Sequence, residues 1–156
     1  MEKFDLCKTS DKYTYFPDKY NLLDGSRLCE TFGGQRVDVA TQIKLNQVVT
    51  FLGNIKDDPA WSADLDITTY TMYTDDEQFN VWQNYKTGEA PEYPLPWNFL
   101  EPNGGSKENC AQLLVKKDEN DNWVGRYNDE DCNAPAPVAC QGIKNLRLIL
   151  RGKDHW

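Results

Sequence analysis

The chain has 156 residues, a length that suits one domain with a substantial core, and its content of 39% hydrophobic and 12% aromatic residues is too high for a disordered chain. The formal net charge is −8 and there is no long basic run, so nucleic acid and anionic membrane surfaces are not expected as partners. No segment is long and apolar enough for a membrane-spanning helix, so membrane insertion is not expected either.

The first part of the chain shows a strand pattern followed by a helix pattern. The aromatic run Tyr13–Phe16 predicts a strand that ends at Pro17. A helical pattern covers Tyr20–Phe32, and the glycines Gly33 and Gly34 predict its end. We therefore expect one short strand that leads almost directly into a helix.

A second helix is predicted from Thr41, whose hydroxyl can cap the first turn. Ahead of it, the alternating residues Val37–Val39 predict a short strand. Gly53 and Asn54 predict the end of the helix. Its buried face is an amphipathic stripe at the spacing i, i+3, i+4 and i+7, formed by Leu45, Val48, Val49 and Leu52.

The region from Asp57 to Leu100 has no helical period and is rich in Trp, Tyr, Thr, Asp and Pro. A loop region of this length inside a compact domain is usually functional. Its aromatic side chains, among them Trp61 and Trp82, are expected to pack as a small satellite core under the loops.

Strand patterns return in the last third of the chain, at Cys110–Val115, Trp123–Tyr127 and Val138–Cys140. The order of strand, two helices, long loops and further strands predicts an α+β fold. We expect one domain over residues 1–143. Residues 144–156 lie past the last cysteine and are either a C-terminal extension or the start of a neighbouring domain.

The cysteine content limits the metal and redox chemistry. The five cysteines are Cys7, Cys29, Cys110, Cys132 and Cys140. There is no C-x-x-C pair and the only histidine is His155, so a structural zinc site is not expected. Four paired cysteines with one left over are typical of an oxidised extracellular domain. The pairing is open at this point, and a cytosolic protein with five buried thiols is the alternative.

Two segments are rich in side-chain oxygens. Residues 101–110 are Glu-Pro-Asn-Gly-Gly-Ser-Lys-Glu-Asn-Cys, and Asn128 and Asp129 follow shortly before Cys132. Carboxylate and amide oxygens are hard ligands that suit calcium, which accepts about six to eight oxygens in irregular geometry. We therefore predict a calcium site where the two segments meet.

The ordered set of these motifs resembles a C-type lectin-like domain from about Tyr13 to Gln141. The matching motifs are Cys29 followed by Gly33-Gly34, Trp97 ahead of Glu101-Pro102-Asn103, then Glu108-Asn109-Cys110, Tyr127-Asn128-Asp129, Cys132 and Cys140. The resemblance implies an α+β fold in which two helices flank small antiparallel sheets beside a long loop region. It also implies the disulfides Cys29–Cys140 and Cys110–Cys132.

The family's principal calcium site corresponds here to five residues of the expected types, Glu101, Asn103, Glu108, Asn128 and Asp129. In members with Glu-Pro-Asn, the side chains at the positions of Glu101, Asn103, Glu108 and Asn128 also bind two neighbouring sugar hydroxyls, which complete the coordination of the calcium. The resemblance therefore implies an extracellular, calcium-dependent module for glycans of the mannose, fucose or N-acetylglucosamine type. It also implies a cis peptide bond before Pro102.

Several positions depart from the family pattern. Gly104 and Asn109 stand where acidic residues often occur, which argues against a second calcium site. Tyr127 replaces the usual Trp, and Ala60–Ala63 is a poor match to the family's Trp-Ile-Gly signature. Cys7 has no partner in the implied pairing, so it is either a free, partly buried thiol or a disulfide link to another chain.

The alternative to sugar binding is a protein-binding module of the same fold, in which calcium is structural or absent. An enzyme is not expected, since Glu101 and Glu108 serve better as metal ligands than as the carboxylate pair of a glycosidase. Among the aromatic residues near the site, Tyr93 is a candidate for stacking on a sugar. Trp97 and Trp123 are expected to pack in the core instead.

Overall fold

The computed structural model describes residues 7–10, 12–58, 67–75, 81–103 and 108–144. The elements in these ranges are β1 Lys8–Thr9, β2 Tyr13–Tyr20, α1 Leu22–Thr31, β3 Gln35–Arg36, α2 Gln42–Asp57, β4 Thr68–Thr74, β5 Gln83–Asn84, β6 Cys110–Lys117, β7 Trp123–Glu130 and β8 Ala136–Gln141. The strands form two four-stranded antiparallel sheets. The first sheet has the order β1-β2-β8-β3 and the second has the order β5-β4-β6-β7. The predicted α+β fold with two helices and antiparallel sheets is confirmed.

The first sheet joins the beginning of the described chain to its end, because β2 pairs with β8. A disulfide between Cys29 on α1 and Cys140 on β8 fixes the helix to this sheet, with the two Cα atoms 5.5 Å apart. This is one of the two disulfides that the resemblance implies. Cys7 is free and buried, and burial raises the pKa of its thiol. A disulfide between Cys7 and another chain stays a prediction.

Strand β2 does not end at Pro17, as the sequence predicted, but continues to Tyr20. The register between β2 and β8 shifts between Phe16 and Tyr20. Proline has no backbone N–H, so within a sheet it is tolerated where the hydrogen-bond ladder is interrupted. The shift in register therefore accommodates Pro17 within the strand.

Both helices begin at side-chain caps. The Asn21 side chain accepts a hydrogen bond from the backbone N–H of Asp24 at 2.8 Å, and the Thr41 hydroxyl accepts one from Lys44 at 3.1 Å. The predicted cap of α2 is thus confirmed. The predicted stripe on α2 is also buried, with Leu45, Val48, Val49 and Leu52 all at most 6% exposed. After α1 the chain passes through Gly33 at φ +86°, a left-handed conformation that favours glycine.

The prediction that Gly53 and Asn54 end α2 is wrong, because the helix continues to Asp57. Gly53 instead allows the helix to approach a side chain of the second sheet. A Cβ atom at position 53 would lie 2.6 Å from Cγ of Trp123. The predicted strand at Val37–Val39 is also displaced: β3 precedes it, although the N–H of Val37 still donates to the carbonyl of Ala139 at 3.1 Å.

The region from Asp57 to Leu100 contains regular structure that the sequence pattern did not predict. β4 lies inside the second sheet between β5 and β6. Its consecutive residues Thr69, Tyr70 and Thr71 are all buried, so both faces are covered there and the alternation expected of a strand is lost.

Tyr73 and Trp82 belong to the main hydrophobic core, so the predicted satellite core is wrong for them. Tyr70 belongs to a separate small cluster against which Tyr85 packs, as predicted. Trp61 lies outside the described residues.

A buried arginine joins the two sheets and α1. Arg36 is 2% exposed, and its guanidinium donates to the carbonyls of Leu22 at 2.8 Å and Tyr70 at 3.1 Å and to the hydroxyl of Ser26 at 3.1 Å. Its pKa is lowered to about 10 by burial. We call Arg36 and these oxygen partners the arginine cluster.

Two predictions lie partly beyond the described residues. The segment 144–156 is described only at Lys144, whose N–H donates to the carbonyl of Phe32 at 2.9 Å. The poorly matching segment Ala60–Ala63 is not described. In the part of the chain that the structure covers, no helix is long and apolar enough to cross a membrane.

Candidate functional site

The segment that precedes Glu101 is anchored along β7. The N–H of Tyr127 donates to the carbonyl of Pro96, and the N–H of Asn98 donates to the carbonyl of Tyr127, both at 2.9 Å. Trp97 and Tyr127 form an isolated parallel bridge between these two hydrogen bonds. Because β7 continues into Asn128 and Asp129, this pairing carries the loop to the two oxygen-bearing residues of the strand.

The loop and the strand are joined through Glu101, Asn103 and Asp129. The backbone N–H of Asn103 donates to Oδ1 of Asp129 at 3.0 Å, and the backbone N–H of Asp129 donates to Oε1 of Glu101 at 3.3 Å. The side-chain amide of Asn103 donates to Oε2 of Glu101 at 2.9 Å. The peptide bond between Glu101 and Pro102 is cis. Three of the five predicted ligands, from two separate segments, are therefore in direct contact.

Asn128 is connected to the loop through a different residue. Neighbouring residues of a strand point to opposite faces, so Asn128 and Asp129 face different parts of the loop. Oδ1 of Asn128 accepts a hydrogen bond from Nδ2 of Asn98 at 2.9 Å. Oδ1 of Asn98 in turn accepts one from Nζ of Lys116 at 3.1 Å. Asn98 is a site residue that the sequence analysis missed.

Glu108 approaches the same region from the start of β6. The disulfide between Cys110 and Cys132, with Cα atoms 5.2 Å apart, holds this end of the strand, and it is the second disulfide that the resemblance implies. Burial raises the pKa of Glu108, and the negative charges of Asp129 and of the two acidic residues after it raise it further. Glu108 and Asp129 are therefore close enough for their negative charges to repel each other.

The carboxylates of the site repel one another. Burial, together with a hydrogen bond and negative charge from Asp129, raises the pKa of Glu101 to about 7. Among the described residues, no group of three or more His, Cys, Asp or Glu side chains is placed to hold a metal ion by itself. A calcium site here would therefore need the amide oxygens of Asn103 and Asn128 as well as the carboxylates. This mixed set of hard oxygen donors fits the chemistry of calcium.

Comparisons with solved structures identify the fold. The carbohydrate-recognition domain of the human scavenger receptor C-type lectin shares 20% identity over 89% of this chain and 97% of that chain, with a TM-score of 0.59. The C-type lectin domain of murine dendritic cell inhibitory receptor 2, in complex with an N-glycan, shares 18% identity over 89% and 97%, with a TM-score of 0.60. The chain has a C-type lectin-like fold.

A third neighbour is not described as a lectin. A Ca²⁺-dependent type II antifreeze protein, in its Ca²⁺-free form, shares 16% identity with this C-type lectin-like chain over 88% of it and 97% of the neighbour, with a TM-score of 0.58. No protein-family model matches the sequence, and a search of curated proteins gave no significant match. At these identities the likeness establishes the fold, while function has to be argued from the site.

The aromatic residues of this C-type lectin-like domain are mostly committed to the core. The Tyr93 hydroxyl donates to the carbonyl of Val39 at 2.6 Å and is hydrogen-bonded to the hydroxyl of Tyr127 at 2.9 Å. These inward contacts argue against Tyr93 as a sugar-stacking residue. Trp97 packs against Trp82 and Tyr127, with ring centroids 5.0 and 6.1 Å away. The exposed aromatic residue beside the site is Phe99, at 89% exposure, which the sequence analysis did not single out.

Proposed function

We propose that the chain is a calcium-dependent carbohydrate-binding module for sugars of the mannose, fucose or N-acetylglucosamine type. The observation that carries this proposal is the direct contact between the loop and β7, in which Glu101, Asn103 and Asp129 are hydrogen-bonded to one another. Glu101, Asn103 and Asp129 thus bring carboxylate and amide oxygens from two separate segments together, and Glu108 and Asn128 would complete the set.

When bound, calcium would supply a positive charge that offsets the repulsion between the carboxylates and would coordinate two neighbouring hydroxyls of a sugar. Glu101, Asn103, Glu108, Asn128 and Asp129 would hold the ion. The side chains of the first four would also accept from or donate to the same two hydroxyls. The mannose-type pair of hydroxyls is what the resemblance of the Glu-Pro-Asn motif implies. Affinity for one sugar should be weak, so strong attachment would require several copies of the module.

The two disulfides support an extracellular location, since such bonds persist in oxidising compartments. In this view residues 1–143 form the binding domain, and residues 144–156 extend beyond it. Two of the neighbouring structures are lectin domains, and one of them holds an N-glycan. These properties belong to those proteins, and they make glycans the first ligands to test for this chain.

The second candidate is a protein-binding module with structural or no calcium. Two observations favour it. One lone pair of the Asn128 Oδ1 atom is already used by Asn98, and the occurrence of the fold in an antifreeze protein means that the fold alone does not imply sugar binding. Calcium binding without any glycan ligand would favour this candidate.

The test is binding to a panel of glycans in the presence of calcium and again with a chelator. We expect signals on mannose-type ligands that the chelator abolishes and that Glu101→Gln removes. The matched control is Glu119→Gln, because Glu119 is an exposed carboxylate in the turn between β6 and β7, at the opposite end of these strands from Asp129. Glycan binding that survives the chelator would contradict the proposal.

A further inference from the structure

A tight turn directly before Glu101 exposes two large apolar side chains. The N–H of Glu101 donates to the carbonyl of Asn98 at 2.9 Å, which closes a turn with Phe99 and Leu100 at its two corners. Phe99 is 89% exposed and Leu100 is 74% exposed. They are the two most exposed large hydrophobic residues in the described part of the chain. We call this segment, residues 98–101, the apolar turn.

The backbone of the apolar turn is strained at Leu100, which has φ +65°. A positive φ at the third residue of a turn is ordinarily occupied by glycine or asparagine. For a leucine the left-handed conformation is unfavourable, because its Cβ approaches the backbone carbonyl. Leu100 therefore carries two unfavourable features at once, a strained backbone and an apolar side chain in water. Strain of this kind is concentrated at sites that bind ligands.

The apolar turn is fixed to the candidate calcium site at both of its ends. At one end, Asn98 is hydrogen-bonded to the side chain of Asn128 and to the backbone of Tyr127. At the other end, Glu101 is itself a proposed ligand and contacts Asn103. A sugar held by Glu101 would thus lie beside a turn that ends at this same residue.

We propose that the apolar turn binds an apolar substituent on the bound sugar, so that the preferred ligands are amphiphilic glycosides with an alkyl or aryl aglycone. This inference rests on the proposed function. An uncharged apolar group matches the surface of Phe99 and Leu100, which offers no charge of its own. An anionic lipid surface is disfavoured as the occupant because the chain carries a net charge of −8 and the adjacent site is acidic.

The test compares methyl α-mannoside with octyl α-mannoside by calorimetry in saturating calcium, with the octyl compound below its micelle-forming concentration. One methylene fully removed from water contributes about fourfold in affinity. Partial cover of the octyl chain by two side chains therefore predicts about tenfold tighter binding of the octyl mannoside.

The variant Phe99→Ser/Leu100→Gly should lose this preference while it keeps its affinity for methyl α-mannoside and for calcium. Glycine at position 100 relieves the positive φ, so the variant should fold at least as well as the parent chain. The matched control is Ile43→Ser on α2, because Ile43 is 71% exposed and lies outside the site. The control should bind both mannosides as the parent chain does.

The outcomes separate this inference from the proposed function. If neither mannoside binds, the role of the apolar turn is wrong, and so is the mannose part of the proposed function. If methyl α-mannoside binds and the octyl compound binds no more tightly, only the apolar turn's role is wrong. A preference for the octyl mannoside that survives in Phe99→Ser/Leu100→Gly would also overturn it. Two further results would overturn the inference, if Phe99→Ser/Leu100→Gly abolishes them. One is sedimentation of the parent chain with glycan-free phosphatidylcholine vesicles, and the other is self-association of the parent chain.

Discussion

The arginine cluster and the candidate calcium site are two polar clusters that differ in how charge is arranged. In the arginine cluster one positive charge is buried, and neutral carbonyl and hydroxyl oxygens surround it. In the candidate site the described residues bring carboxylates near one another, with hydrogen bonds among Glu101, Asn103 and Asp129. The first cluster surrounds its charge with neutral oxygens, whereas the second brings like charges together.

Each cluster also lies beside its own disulfide. Arg36 pairs with Cys140 in the first sheet, so the Cys29–Cys140 bond is adjacent to the arginine cluster. Asp129 pairs with Ala111, the neighbour of Cys110, so the second disulfide is adjacent to the candidate site. A polar cluster beside a disulfide therefore occurs twice in the fold, once around a buried charge and once at the proposed ligand-binding site.

The largest expected effect comes from removing the disulfides, and it separates the two clusters. Cys29→Ala/Cys140→Ala opens a loop with a sequence separation of 111 residues. The free energy of unfolding should fall by about 5 kcal/mol. Cys110→Ala/Cys132→Ala opens a separation of 22 residues and should lose about 3 kcal/mol. Denaturant unfolding measures both losses, and an equal or reversed order would contradict the assignment.

The next largest effect is expected in the arginine cluster. Arg36→Met leaves the carbonyls of Leu22 and Tyr70 without the guanidinium, so the free energy of unfolding should fall by about 3 kcal/mol. Urea unfolding provides the measurement. Arg27→Met is the control, because the Arg27 side chain is 76% exposed and should tolerate the change. A loss in Arg36→Met no larger than in this control would show that the cluster does not stabilise the fold.

In the candidate site the expected effect is on binding rather than on stability. Glu108→Gln removes one negative charge from a group whose pKa is raised by burial and by its acidic neighbours. The calcium-free protein should therefore be at least as stable as the parent chain. Its calcium affinity should fall about tenfold or more, because one charged ligand is lost. Thermal unfolding with and without calcium measures both quantities, and lower stability together with unchanged affinity would contradict the prediction.

A smaller effect is expected from Asn98→Ala, which removes the contact between the loop and Asn128. The oxygen of Asn128 would lose its support and Lys116 would lose a partner. One neutral hydrogen bond contributes about 1 kcal/mol, so calcium affinity should fall by about fivefold while the fold is retained. Calorimetry of calcium binding measures this change. A complete loss of binding would mean that Asn98 is itself a ligand.

The sequence predicted those features that depend on local pattern or on recognisable motifs. The cap at Thr41 and the buried stripe of α2 follow from helical periodicity. Features that depend on contacts across the fold were missed. Glycine is a residue type that often ends a helix, but Gly53 lies inside α2 and makes room for Trp123. Proline is a residue type that often ends a strand, but a shift in register accommodates Pro17 within β2.

The candidate site was also only partly accessible to sequence analysis. The Glu-Pro-Asn motif and the pair Asn128 and Asp129 could be recognised from their residue types and their order in the sequence. Asn98 and Phe99 belong to no such pattern. The contact of Asn98 with β7 and the exposure of Phe99 are visible only in the structure. Arg36 was missed for the same reason, since its partners come from two elements that are distant in sequence, α1 and β4.

The most direct measurement is a calorimetric titration of calcium into the chain, with Asp129→Asn and the exposed control Glu119→Gln titrated alongside. We predict binding to one high-affinity site in the parent chain and in Glu119→Gln, and strongly reduced binding in Asp129→Asn. No heat of binding in the parent chain, or equal binding in Asp129→Asn, would contradict the claim that the acidic site of this C-type lectin-like domain is completed by calcium.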